Sequence, residues 1–371
     1  MKKSVLLAIG CSKIGGAQKM FATISEELIS RQYNVIIVLP EGKLAEMFRD
    51  QGIEVHTFEF TSIRIFYQIA SILRKNKIDI INTHLTNCSF LFAIVNLFFR
   101  KPLICSLHNA VLHEGLGQFQ RFYFPFIYNI IARLSHRIIV NSNSNKEHFI
   151  EVARIDPSHI KVVYNGINPS NYNCESQKNY MPNKKFQIGF VGRLSIEKGV
   201  TYLLEALTRL TISDFECIIV GDGPLKSFLE NEVKIKGLSD RVKFVGFQSN
   251  VTPFFKQMDV FVLPSLNEVM PVTIIEAFAL KTIVIASEVG GVPDLIKNKT
   301  TGVLFSSKNS HELQSSITWV YDNPKIVESI VETAFNSFLT TFTSDAMIEN
   351  TIEVYELCMS SNTKLPNEFH C

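Results

Sequence analysis

Charge of one sign is nearly missing from this chain. Its 37 Lys and Arg stand against 35 Asp and Glu, a net charge of +2 over 371 residues. No global field therefore points to nucleic acid as a partner. Paired cysteines are missing as well. The seven present (Cys11, Cys88, Cys105, Cys174, Cys217, Cys358 and Cys371) are scattered, odd in number and free of any C-x-x-C pair. That argues against a disulfide framework or a zinc site and for a reducing compartment. No apolar run reaches the roughly 18 residues of a membrane span; the nearest, Ser89 to Phe99, has the length of a core helix. At the N-terminus Lys2-Lys3 precede an apolar run, Val5 to Ile9, that is shorter than the roughly 7–15 residues of a signal core. It leads straight into Gly15-Gly16, so a first buried strand in a cytoplasmic protein is expected. Several catalytic signatures are also lacking: Walker A, H-E-x-x-H, G-x-S-x-G, and a D-x-D between strands that would hold a divalent cation over a diphosphate. The dinucleotide fingerprint is incomplete twice. Gly10 is followed by Gly15-Gly16 at the wrong spacing, and Gly221-Asp222-Gly223-Pro224 lacks a third glycine, which disfavours a nicotinamide enzyme.

What remains is a folding composition, 46% hydrophobic with 19% charged residues and a mean hydropathy of +0.14. At this length two domains are expected. Residues 4–10, Asn34 to Leu39, Glu54 to Phe58, Asp79 to Thr83, Leu103 to Leu107 and Arg137 to Asn141 read as strands, with helical patterns between most of them. After Asn165-Gly166 comes a polar, Asn- and Lys-rich segment. A second alternation follows, with strands at Gln187 to Val191, Glu216 to Val220, Val242 to Val245, Asp259 to Leu263 and Thr282 to Ala286. The expected architecture is α/β: two Rossmann-like doubly wound parallel sheets facing a deep cleft, with ligands at strand carboxyl ends. The expected domains are 1–170, a linker at 171–185, 186–345, a helix at 346–360 returning to the first domain, and a disordered tail at 361–371. The last 30 or so residues before that tail read as one or two helices.

The stretch Leu263 to Gly302 carries the densest chemistry. Glu268 and Glu276 stand eight positions apart, and Pro271 between them suits the first position of a helix; Gly290-Gly291-Val292-Pro293 forms a turn further on. Two acids flanking a helix start suit a ligand that carries both an anion and hydroxyls. One βαβ unit with a solvated and a partly buried acid fits the same residues. In the loop Gly192-Arg193 to Lys198-Gly199, the Arg and Lys are five residues apart and can both reach one diphosphate, the Arg as a planar fork and the Lys as a point charge; a solvated basic loop is the alternative. Gly15-Gly16 lets backbone amides approach a phosphate at a helix start, or is a plain tight turn. His108-Asn109 follows a strand, where a cleft residue belongs, and so does His84, with less support; a structural histidine is the alternative.

Taken together, GFVGRLSIEKG, IIVGDGPLKSFL, VKFVGFQSNV, LPSLNEVMPVTIIEAFALKTIVIAS and GGVPDLI resemble the retaining glycosyltransferases of the GT-B fold, family four (glycosyl transferases group 1). The resemblance runs from Gly15-Gly16 through VYNGIN (Val163 to Asn168) to about residue 310. It implies transfer of a hexose or N-acetylhexosamine from a nucleotide diphosphate sugar, a UDP-sugar first, with retention and without a metal or other cofactor. It implies that Glu276 holds the ribose hydroxyls and that Arg193 and Lys198 neutralise the leaving diphosphate. Gly15, Gly16 and the backbone from Met270 through Val272 to Thr273 would donate to phosphate or sugar. Glu268 would hold donor-sugar hydroxyls, His108 with Asn109 would line the sugar from the first domain, and Phe247 and Val251 would meet the base. Glu268, His108, Arg193 and Lys198 are the expected catalytic set. Two positions depart from the family pattern: Val269 stands where Gly is usual, and Gly15-Gly16 is followed by Ala17-Gln18, without the frequent acid.

The implied acceptor is a glycan or lipid-linked saccharide in cell-surface polysaccharide or glycoconjugate synthesis. Ser89 to Arg137 is aromatic and contains Arg100, Lys101, Arg121, Arg133 and Arg137. It fits either a peripheral contact with the cytoplasmic face of the inner membrane or helices packed on a parallel sheet. Two further functions stay open, a nucleotide-sugar epimerase of the same fold and a catalytically silent sugar-nucleotide-binding subunit.

Overall fold

The computed structural model describes residues 2–13, 15–59, 64–108, 118–172 and 185–360, with 118–122 described by their backbone alone. Asn109, most of the expected linker and the tail from 361 lie outside the described residues. Seven strands form the first sheet: β1 (Ser4–Ile9), β2 (Asn34–Leu39), β3 (Glu54–Thr57), β4 (Ile80–His84), β5 (Leu103–Leu107), β6 (Arg137–Val140) and β7 (Ile160–Val162). Six form the second: β8 (Phe186–Val191), β9 (Phe215–Val220), β10 (Val242–Gly246), β11 (Val260–Leu263), β12 (Ile283–Ser287) and β13 (Val303–Phe305). Every pairing is parallel. A parallel sheet is covered on both faces, so most of its strands are near-continuous apolar runs; β4, with buried Asn82, Thr83 and His84, is an exception. Val5 through Ile9 of β1 are fully buried, and β8 is buried along its length.

Both sheets wind the same way. The spatial orders are β3-β2-β1-β4-β5-β6-β7 and β10-β9-β8-β11-β12-β13. The chain reverses its direction of travel between β1 and β4 in the first sheet and between β8 and β11 in the second. At such a reversal the two connections leave in opposite directions and open a crevice at the strand carboxyl ends. These two positions decide where chemistry can sit.

Contacts divide the chain into Met1–Gly166 with Ser344–Cys371, and Ile167–Thr343. The second unit begins upstream of the expected linker because Ile167 donates its N–H to Phe342 O at 3.1 Å and bridges to Thr343. The last helix, Ser344–Ser360, belongs to the first unit. Arg31–Asp345, Lys3–Glu356 and Lys161–Glu353 pair along it at 2.5, 3.2 and 3.2 Å. Such exposed pairs contribute little each, and the buried bond beneath them matters more. Asn82 on β4 donates to the Tyr355 hydroxyl at 2.7 Å and accepts from Ser106 on β5 at 3.0 Å. Burial pushes the Tyr355 phenol up, so it stays neutral and polar in the core.

Four expectations differ from the structure. Strands β7 and β13 were not expected, since three residues are too few to show a period. The helix Ser310–Asp322 was not expected, whereas the last 30 or so residues before the tail hold two helices, Pro324–Thr341 and Ser344–Ser360, as expected. A helix at Asn143–Ala153, capped by the Ser142 side chain on the Asn145 N–H, fills the gap before β7. Pro271 precedes its helix as the cap residue, with φ −72° and ψ 113°, and the helix starts at Val272. Tyr355→Phe should leave the Asn82 amide unpaired in the core and cost about 1–3 kcal/mol. Urea unfolding of the two proteins measures this, and equal midpoints would refute it.

Candidate active site

In the second unit, β8 ends at Val191 and its neighbour β11 ends at Leu263, at the reversal of winding. The loop after β8 runs through Arg193 into a single turn, Ile196–Lys198, and then through Gly199 into the helix Val200–Leu207. The loop after β11 runs through Glu268 into the helix Val272–Ala279. Two bonds stitch the loops together. The Leu266 N–H donates to Glu197 O at 2.7 Å, and Lys198 Nζ donates to Glu268 Oε1 at 2.5 Å. Gly199 makes this possible, because a Cβ there would fall 2.0 Å from Pro264 O. Glu268 also accepts from the Ser265 hydroxyl at 2.7 Å. Its side chain is 8% exposed against 22% for Lys198, so the pair is largely dry and strongly oriented. Ser265 is fixed in turn, since its carbonyl accepts from the Ser287 hydroxyl at the end of β12.

The turn after β12 holds the same acid from behind. Gly291 donates its N–H to Glu268 O at 3.1 Å. Gly290 has φ +50°, and a Cβ there would lie 1.8 Å from that oxygen. Left-handed backbone and close approach both require glycine at this position. The Gly-Gly-Val-Pro turn is thus a backstop for Glu268. One helical turn further on, Glu276 is 3% exposed and accepts from the Tyr172 hydroxyl at 3.0 Å. Between the two acids, Val272 and Thr273 are half-buried at the helix start, which carries no side-chain cap. The opening amides of a helix lack intrahelical partners and carry its positive dipole end. Arg193 is exposed at the mouth of the loop. The arrangement can take an anion at the exposed guanidinium or the helix start, with a carboxylate on either side for hydroxyls.

The other second-unit residues named from sequence sit apart from this cluster in kind. Met270 is buried at 5% exposure, Phe247 is 73% exposed, and Val251 is the half-buried residue before the helix Thr252–Gln257. Lys198 and Glu268 were given separate ligands from sequence, and in the structure they bond each other. Tyr172 was missed; it lies in a polar segment where nothing in the local pattern marks a partner for Glu276.

In the first unit, Gly15 precedes the helix Gly16–Ser30 in extended conformation at φ −153°. Neither glycine needs a positive φ. A Cβ on Gly16 would meet nothing within 4 Å, so that helix start is open to a ligand. His108 follows β5, half-buried, with its Nε2 2.8 Å from Nδ1 of the fully buried His84. Burial pulls His108 down to about 4, and burial together with the His108 charge holds His84 well below the usual imidazole range. Both rings are therefore neutral near pH 7. Asn145 steadies the strand end by donating to Leu107 O at 3.2 Å.

Comparison with known proteins decides the family. The family model described as Glycosyltransferase Family 4 matches residues 14–171, and that described as Glycosyl transferases group 1 matches residues 173–337. This chain belongs to the GT-B glycosyltransferases of family 4. An uncharacterised glycosyltransferase of Methanocaldococcus jannaschii is 26% identical, with 93% of this chain and 95% of that protein covered. The Escherichia coli UDP-Gal:alpha-D-GlcNAc-diphosphoundecaprenol alpha-1,3-galactosyltransferase is 23% identical over 92% of this chain and 94% of that one. Among solved structures, Anabaena HepE in complex with UDP superposes with a TM-score of 0.84 at 22% identity, over 96% of this chain and 100% of HepE. The glycosyltransferase carries no cluster of three or more His, Cys, Asp or Glu arranged for a metal ion among its described residues. Among those residues, too, no helix is long and apolar enough to cross a membrane.

Gly290→Ala should lower the melting temperature of this glycosyltransferase more than Gly237→Ala does. Gly237 has φ +66° with nothing within 4 Å of an added Cβ, so it registers the backbone cost alone, about 1–2 kcal/mol. Thermal unfolding of both variants checks this, and equal losses would mean that contact with Glu268 imposes no constraint.

Proposed function

We propose that this glycosyltransferase moves a hexose or N-acetylhexosamine, with retention, from a UDP-sugar to a glycan or lipid-linked saccharide. The observation that carries the reading is the oriented set at the second unit's winding reversal: exposed Arg193, the Lys198–Glu268–Ser265 chain, and buried Glu276 beyond an uncapped helix start. The names of the relatives support the substrate class, through UDP in HepE and a diphosphoundecaprenol-linked acceptor in the Escherichia coli enzyme.

In this reading Glu276 accepts hydrogen bonds from the ribose hydroxyls, with Tyr172 holding it in place. Arg193 forks the diphosphate, and the amides of Val272 and Thr273 face the same anion. As the sugar C1–oxygen bond breaks, its electron pair goes to the diphosphate, and the guanidinium and ammonium stabilise that charge in place of a metal ion. Lys198 then shares its charge between Glu268 and the diphosphate. Glu268 holds the sugar hydroxyls of an oxocarbenium-like transition state, and the acceptor oxygen bonds C1 on the same face and passes its proton to the departing diphosphate oxygen. The open helix start at Gly15-Gly16 and neutral His108 serve the sugar, and Phe247 with Val251 the base. No carboxylate pair is assigned hydrolytic acid–base roles.

UDP release from UDP-sugars in the presence of a chelator tests this. Arg193→Ala should lower kcat about 10²–10³-fold, the usual loss on removing one preorganised charge donor, and Glu276→Ala should chiefly raise the donor KM. If both variants turn over like the parent, the site assignment fails. On the acceptor side, the reading takes Tyr123, Phe126 and Arg133 on the helix Gln118–Leu134, together with Phe98 in the turn after the helix Thr86–Asn96, as a surface for a bilayer; Phe98, Tyr123 and Phe126 are exposed at 86%, 45% and 63%. Flotation with anionic vesicles should carry the protein upward, whereas protein left at the bottom of the gradient would reject a membrane contact.

A further inference from the structure

Three neighbouring strands of the first sheet end together at its winding reversal. Ile9 of β1 pairs with His84 of β4, His84 pairs with Ser106 of β5, and His108 follows two residues later. His84 is fully buried, and Phe21 packs at right angles to it with ring centroids 5.0 Å apart. Phe21 lies on the helix that Gly15-Gly16 opens. The His84 imidazole thus packs between Phe21 of that helix and the half-buried imidazole of His108. From sequence His84 has less support than His108, because a histidine at a strand end shows nothing of its neighbour on the next strand.

The bond between the rings has two arrangements. Both rings are neutral, so each carries a single N–H. If His108 Nε2–H were the donor, His84 would accept at Nδ1 and carry its own proton on Nε2. That Nε2 is buried and has no hydrogen-bond partner among the described residues. Buried N–H groups without an acceptor are rare in native proteins, more so than bare acceptors. The other arrangement puts the proton on His84 Nδ1 and leaves only a lone pair on the orphaned atom. His108 then accepts at Nε2 and must carry its proton on Nδ1.

We propose that His84 is a positioning residue: its Nδ1–H donates to His108 Nε2 and holds His108 as the Nδ1–H tautomer, a ring that offers the sugar a hydrogen-bond donor and no base. The sugar contact rests on the function proposed above, whereas the tautomer and the bond do not.

Imidazole-labelled NMR of the full chain tests the tautomer directly. The His84 and His108 rings should each show a protonated Nδ1 and a bare Nε2; a protonated His108 Nε2 would overturn the proposal. Two variants test the consequence. His84→Leu removes the donor, whereas His84→Asn returns an amide N–H near the Nδ1 position. Turnover should fall about tenfold in the Leu variant, the size of one lost hydrogen bond, and return to within about threefold of the parent in the Asn variant. Melting temperatures of the two variants should be alike. Equal loss of turnover in both, at equal melting temperatures, would reduce His84 to a packing residue. If the parent itself releases no UDP, the functional reading fails, and the NMR arm still decides the tautomer.

Discussion

Lys198 reaches Glu268 only because β8 and β11 lie side by side while the chain between them travels through two other strands. Seventy residues of sequence separate the partners, and the winding of the sheet brings their loops to one edge. Most of the rest of the second unit can be read as support for that bond. The tight contact at Gly199, the Leu266–Glu197 backbone bond, the Ser265 hydroxyl and the Gly290-Gly291 backstop each remove a freedom that the two side chains would otherwise have. A largely buried ion pair contributes little net stability against its desolvation cost, although removing one partner alone is expensive. The value of this pair lies in preorganisation, since a carboxylate and a cation are held in place before any ligand arrives.

The first unit repeats the plan with different chemistry. Its reversal of winding collects neutral groups: an open helix start at Gly16, a buried His84 and a half-buried His108. Charge is kept out by burial, which leaves both imidazoles uncharged. One carboxyl edge therefore gathers charged groups around a helix start, and the other gathers neutral hydrogen-bonding groups. The buried chain Ser106–Asn82–Tyr355 ties the last helix of the molecule to the strands that end at this second set. The C-terminal helix is in this way part of the support for β4 and β5.

How much of this was legible before folding depends on the range of each interaction. The apolar strands were readable because a doubly covered parallel strand is a near-continuous apolar run. The loops Arg193–Lys198 and Glu268–Glu276 were readable because chemistry-bearing residues cluster within a few positions of a strand end. Strands β7 and β13 were too short to carry a pattern. Tyr172 and His84 were not legible as partners, since neither has a local feature that announces Glu276 or His108.

By itself, then, the sequence determined the two alternating halves, the glycine turns and the residue types gathered after β8 and β11, all through short-range physics. Only the tertiary structure decided which of those residues bond to one another. Lys198 was given to a diphosphate and is found on Glu268, Pro271 caps the helix it was expected to begin, and His84 becomes the partner of His108. The physical reason is the sheet: parallel pairing sets strands 4–5 Å apart whatever their distance along the chain, and residues at their carboxyl ends meet as neighbours that no sequence window contains.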